Sequence, residues 1–116
     1  MKKVIIGIAS QEDIRARARA VARDEHRPSA GEPRIWFTSM RSLAEVLSDD
    51  NRALLRVIRE QQPDSLSRLA DLTGRAPSDL SRTLKTMERY GLVEMRRKGR
   101  QVRPVAKANE FVIRAA

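Results

Sequence analysis

SLSRLADLTGRAPSDLSRTLKTMERYGLVEMRRKGRQVRP, residues Ser65 to Pro104, is the stretch on which the fold turns. Its opening, SLSRLADLTG, carries a short helical pattern. Leu66, Leu69, Ala70 and Thr73 share one face, and Gly74 stands where a helix stops. Pro77 opens a second helical pattern, as Pro does where its missing N–H falls in the first turn. There Leu80, Leu84 and Met87 recur at i, i+4 and i+7 and predict one buried face. Ser78, Arg82, Lys85 and Arg89 take the opposite face, with Ser81 and Thr86 beside it. Gly91 ends the helix. Two β-like runs follow, Leu92–Arg96 and Gln101–Val105. The tip between them is basic: Arg96, Arg97, Lys98, Gly99 and Arg100, with Arg103 just beyond.

Helix, tight turn, helix and a hairpin with a cationic tip is the layout of a winged helix-turn-helix. The dimensions suit duplex DNA. A helix of about 10–12 Å diameter fits a major groove about 12 Å wide. Arg82 has the fork geometry for a guanine edge, and Lys85 lies beside it. Ser78 and Ser81, near the helix start, place hydroxyls and free N–H groups where bases or phosphate would lie. For Arg96, Arg97, Lys98, Arg100 and Arg103 on the wing, phosphate is the natural partner. The alternative for the wing is a solvated turn.

The segment LSRTLKTMERYGLVEMRRKGR resembles the recognition helix and wing of MarR-like transcriptional regulators. The residues that carry the resemblance are Leu80, Ser81, Arg82, Leu84, Met87, Glu88, Gly91, Leu92 and Val93. The tip reads RRKGRQVR in place of that family's Asp-x-Arg, which points to a broader family of wing-bearing regulators.

Composition bounds the rest. The chain has 116 residues, enough for one compact domain or two small lobes. Apolar residues make up 41% and aromatics only 3%, so the core must be built from Leu, Ile, Val and Ala. There is no Cys, which excludes disulfides and thiolate metal sites and fits a reducing compartment. The longest apolar run, Val4–Ala9, is far short of a membrane span and of a signal-peptide core. The expected location is the cytoplasm. The formal net charge is +9, and its distribution is uneven. Residues 1–49 carry nine Lys and Arg against seven Asp and Glu, whereas residues 50–116 carry fifteen against eight. The excess cation therefore sits with the expected reading half, where a polyanion would use it. A merely solubilising surface would not need to coincide with that motif.

Ahead of the reading half, Val4–Ile8 reads as a short strand with apolar residues on both faces. Gly7 lacks the further glycines and Lys of a phosphate loop. Ser10 caps a helix whose first turn holds Glu12 and Asp13. Ile14, Ala18, Val21 and Ala22 give it a narrow apolar stripe, small enough to lie close on a sheet. Arg15, Arg17, Arg19 and Arg23 fall mostly off that stripe and read as a solvated face, paired in part with Asp24 and Glu25. His26 is the only His; with no Cys beside it, a zinc site is not expected. By default it is a solvent-exposed residue at a helix end. Arg27–Pro33 is a turn-rich connector, and Arg34–Thr38 a second strand.

Strand, helix and strand over about 35 residues form a βαβ unit, with parallel strands if they are neighbours. Two strands alone are marginal in water. The expectation is that a second copy completes the sheet, with Trp36 and Phe37 at the dimer interface. Ser39–Leu47 forms a further helix through Met40, Leu43, Ala44 and Leu47. Asp49 or Asp50 caps the next, Asn51–Gln62, with Leu54, Leu55, Val57 and Ile58 facing inward. Glu110–Arg114 is β-like and can join either lobe. The predicted fold is α+β: a βαβ-helix lobe over 1–48, for dimerisation, and a winged helix-turn-helix over 49–116.

This order of elements resembles a group of small prokaryotic predicted transcriptional regulators, most visibly in RIWFTSMRSLAEVLSDDN. Some relatives in that group are thought to act as antitoxins. No nucleophile paired with His, H-E-x-x-H motif, Walker loop or carboxylate cluster is present, so an enzyme is not expected, nor any cofactor. The leading expectation is a sequence-specific double-stranded DNA-binding regulator, a dimeric repressor. One alternative is an antitoxin that masks a cognate toxin and regulates its own operon. The other is an RNA-binding regulator, disfavoured because single-strand readers present aromatic stacking platforms.

Overall fold

A computed structural model of the chain describes residues 2–115. The elements run β1 (Lys3–Ile8), α1 (Gln11–Ala22), β2 (Ile35–Phe37), α2 (Met40–Val46), α3 (Asp49–Gln61), α4 (Leu66–Thr73), α5 (Pro77–Arg89), β3 (Val93–Lys98), β4 (Gln101–Ala106) and β5 (Glu110–Ala115). The fold is α+β, with helices α3–α5 and the β3–β4 hairpin in the winged helix-turn-helix order that the sequence predicts.

Helix starts follow a common rule. Ser10, Ser39, Ser48 and Ser65 each accept, through the side-chain oxygen, the backbone N–H three residues on, at 3.0–3.2 Å. Each satisfies one of the donors that a helix leaves free at its N-terminus. For α3 this corrects the sequence expectation. Ser48 is the cap, and Asp49 and Asp50 lie within the first turn. The end of α5 is closed by a Schellman motif. Leu92 N–H donates to Met87 O at 2.9 Å and Gly91 N–H to Glu88 O at 3.0 Å. Gly91 takes φ 80°, the left-handed conformation that the motif requires. Leu92 and Met87 are both buried there.

The sheet has the order β2-β1-β5, with both pairings parallel. The C-terminal run therefore joins the N-terminal strands, with Ile6 flanked by Ile35 on one side and Ile113 on the other. Two short strands need a third neighbour, and the chain supplies its own last strand. A boundary at residue 48 thus follows sequence order but cuts through this sheet.

One hydrophobic core runs through both halves. Ile6, Ile35 and Phe37 of the sheet join Leu43, Leu54, Ile58, Leu69, Leu80, Leu84, Met87 and Val93 in a single cluster. Phe37 stacks on Tyr90, the residue that caps α5, with ring centroids 4.2 Å apart and planes 16° from parallel. Phe37 is 1% exposed. Tyr90 of the same chain thus covers Phe37, so no second copy is needed to bury it. Trp36 turns to the opposite sheet face. A Cβ on Gly7 would lie 2.5 Å from its ring, so only Gly allows this approach. The guanidinium of Arg17 lies over that ring at 4.9 Å from the centroid.

Depth of burial differs from expectation in two helices. The predicted stripe of α1 buries no residue, and Val21 is 41% exposed. In α2, Leu43 is buried, as is Leu47 at its C-cap, but Met40 is 54% exposed.

Candidate nucleic-acid interface

The buried face of α5 sets its exposed face. Leu80, Leu84 and Met87 are at most 1% exposed. At helical spacing this turns Ser78, Arg82, Lys85 and Arg89 to solvent, with Ser81 and Thr86 half-buried at the edge. An open depression of about 880 Å³ runs along this face and is lined by Ser78, Ser81, Arg82, Lys85, Thr86, Glu88 and Arg89 alone. All seven belong to α5, and among the described residues no other element lines the depression. Within it, Arg89 donates to Thr86 Oγ1 at 3.3 Å, and Thr86 Oγ1 donates to the carbonyl of Arg82. Among the described residues, Arg82 and Lys85 have no carboxylate partner.

The start of α5 differs from the other helices. Ala76 is its N-cap, without a side-chain cap, and Pro77 removes one donor from the first turn. Position is fixed instead by Arg75, in the turn between α4 and α5. Its guanidinium donates to Asp79 Oδ2 at 2.8 Å, Thr83 Oγ1 at 3.0 Å and Asn51 Oδ1 at 3.2 Å. Asn51 in turn donates to the carbonyl of Val46 at 3.0 Å. A planar fork thus ties α5 to α3, and α3 to the end of α2. Reading the sequence does not single out Arg75. A signal is nonetheless present: an Arg in the turn, four residues before Asp79, on the half-buried side of the helix.

The wing is longer than the sequence suggests. β3 extends to Lys98 and pairs with β4 in the register Arg96↔Arg103, Arg97↔Val102 and Lys98↔Gln101. Only Gly99 and Arg100 form the turn. Arg96 and Arg97 are strand residues, and their side chains leave opposite faces of the hairpin. Val93, Met95, Pro104 and Ala106 fix that alternation by facing the core. Arg96 sits directly opposite Arg103, a repulsive cross-strand pair. Glu94 relieves it, binding Arg96 and Lys107 at 3.2 Å each. The hydrogen bond from Arg96, then that from Lys107, holds the Glu94 carboxyl below the usual carboxylate range. Arg97, Lys98, Arg100 and Arg103 have no such partner among the described residues.

The cations of α1 are differently placed. Arg17 pairs with Glu32 at 2.9 Å, and His26 Nε2 lies 2.8 Å from the same carboxylate. The hydrogen bond with His26 is the main reason the Glu32 carboxyl lies below its ordinary range. Arg17 is therefore bound up in the connector and over Trp36, and His26 is held in that ion-pair cluster rather than free at a helix end.

A family model described as HVO_A0114 matches residues 46–113, which span α3 to β5. The chain belongs to the HVO_A0114 family. The matched segment of this HVO_A0114 member contains the whole helix-turn-helix and wing and most of the strand that closes the sheet. No curated protein matches the chain. Among solved structures, it is similar to the crystal structure of a predicted DNA-binding transcriptional regulator from E. coli, at 18% identity and a TM-score of 0.50, over 85% of each chain. At that identity the likeness is one of fold, and it reaches beyond the family segment into the N-terminal lobe.

Proposed function

We propose that the chain is a sequence-specific double-stranded DNA-binding transcriptional regulator, a repressor that works as a dimer in the cytoplasm. The observation that carries this reading is the uncovered face of α5. Arg82 and Lys85 stand free there, backed by three fully buried side chains that fix the helix rotation. The unpaired wing cations supply a second, sequence-independent hold on phosphate. The description of the E. coli structural neighbour as a predicted DNA-binding transcriptional regulator supports the same reading. The large aromatics speak against a single-strand RNA reader. Tyr90 is stacked on Phe37, and Trp36 is covered by Arg17, so neither offers a free stacking platform. No catalytic role is proposed.

Selection of duplexes from a random pool tests the reading. The expected product is an inverted repeat with half-sites about 10–10.5 bp apart, or a multiple of that spacing. Single-stranded RNA should compete poorly. Enrichment of a lone half-site would count against the dimer, and no enrichment at all would count against sequence-specific reading.

A further inference from the structure

Among the described residues the outer edge of β5 is unpaired, since β5 ends the sheet order and bonds to β1 alone. Free edges of this kind are templates for another strand unless they are blunted. This one is six residues long and carries no Pro, Gly or Lys. Ile113 is 45% exposed on it. The other sheet edge, β2, is only three residues long.

We propose that β5 is the dimer interface, pairing antiparallel with β5 of a second copy about a two-fold axis at Val112. This rests on the dimeric reading given above and replaces the contact expected at Trp36 and Phe37. The occupant follows from the sequence of the strand, Glu110-Phe111-Val112-Ile113-Arg114. Reversed on itself about Val112, it is complementary at every position. Glu110 falls opposite the partner's Arg114, Phe111 opposite the partner's Ile113, and Val112 opposite itself. Opposite charges and aromatic–β-branched pairs are the favourable cross-strand combinations. An isologous contact requires this self-complementarity. Among the described residues Glu110 makes no ion pair, and Arg114 donates to a backbone carbonyl, that of Gly31, at 2.6 Å. Neither side chain has an opposite charge beside it among the described residues, and the Arg114 guanidinium keeps N–H donors beyond the one that Gly31 takes.

The faces also fit. Phe111 and Ile113 point to the same side of the sheet and line an open groove of about 780 Å³ with Leu43, Leu47 and Leu55. A partner strand added at the edge would set its own Phe111 and Ile113 beside this groove and cover the exposed Ile113. Two three-stranded sheets would join into one, and the reading helices would stand in symmetry-related positions. A shift of the register by one residue would lose both charge pairs and put Phe111 and Ile113 on the wrong face.

Light scattering on size-exclusion fractions, at high micromolar protein, tests this with reciprocal charge variants. The wild-type chain should run at twice its monomer mass. Glu110→Arg places Arg opposite Arg, and Arg114→Glu places Glu opposite Glu, so each variant alone should run as a monomer. An equal mixture of the two restores both opposite-charge pairs and should return the dimer mass. The double variant, Glu110→Arg with Arg114→Glu, should dimerise by itself. Rescue on mixing cannot arise from misfolding, and circular dichroism checks each single variant. Wild-type monomer, single variants that remain dimers, or a mixture that stays monomeric would each overturn the β5 interface. Titration of the same preparations with duplex DNA separates this inference from the functional reading. A charge-rescued dimer that ignores DNA would sink the function and leave the interface standing. A DNA-binding chain whose dimer is indifferent to these charges would do the reverse.

Discussion

Helices α1 and α5 are nearly the same length, both begin beside acidic residues, and both carry apolar residues at helical spacing. Yet α5 buries Leu80, Leu84 and Met87 almost completely, and α1 buries nothing. The difference lies in side-chain size and in what stands opposite. The stripe of α5 is two Leu and a Met facing a cluster to which α3, α4, β3 and the sheet all contribute. The stripe of α1 is Ile, Val and two Ala, set against a sheet face already occupied by Trp36 and Pro33 closing over Gly7. Periodicity reports which face of a helix turns inward; it does not report how deep that face goes. The contrast has a functional side as well. A helix that offers arginines to a ligand must hold its rotation, and α5 is held by three core residues and the Arg75 fork, whereas α1 is not.

The contrast predicts a graded response to substitution. Leu84→Ala removes a side chain that is 1% exposed from the core cluster. It should lower unfolding free energy by about 2–5 kcal/mol in denaturant titrations. An unchanged midpoint would mean that the rotation of α5 is wrong. Gly7→Ala is next. Its new methyl would lie 2.5 Å from the Trp36 ring and 2.9 Å from Pro33, so ring and loop must move. A cost of about 1–3 kcal/mol is expected by the same measurement. A neutral result would show that Trp36 is not held over β1. Val21→Ala, on the exposed stripe of α1, should fall within about 0.5 kcal/mol of wild type. A loss comparable to that of Leu84→Ala would mean that α1 is covered in solution by something other than this chain.

Much of the reading half is legible in the sequence. Gly74, Pro77 and Gly91 punctuate the helices, and large apolar residues between them state the phase. The hairpin is visible too, though its strands run further toward the turn than a cluster of cations suggests. Arg97 and Lys98 look like a loop by composition, but cross-strand pairing with Val102 and Gln101 keeps them in the ladder. The N-terminal lobe is less legible because its stability depends on long-range contacts. Nothing local to Glu110–Ala115 reveals that it pairs with Lys3–Ile8, at the far end of the chain. Nor does the RIWFT strand show that Phe37 will meet Tyr90. At the candidate site, the exposed α5 residues can be named from helix phase alone. Arg75 cannot, because its role lies in bridging α5 to Asn51 of a third helix.

In the proposed function, α5 reads sequence while the wing holds phosphate. Titrations of wild type, Arg82→Ala and the double variant Arg97→Ala with Arg100→Ala, on selected and random duplexes at several salt concentrations, test it directly. Arg82→Ala should lose about 1–3 kcal/mol of discrimination between the two duplexes. The wing variant should weaken both alike and flatten the salt dependence by roughly 0.9 in log–log slope for each phosphate that is no longer neutralised. Equal weakening of both duplexes by Arg82→Ala, or a full salt slope retained without the wing cations, would contradict it.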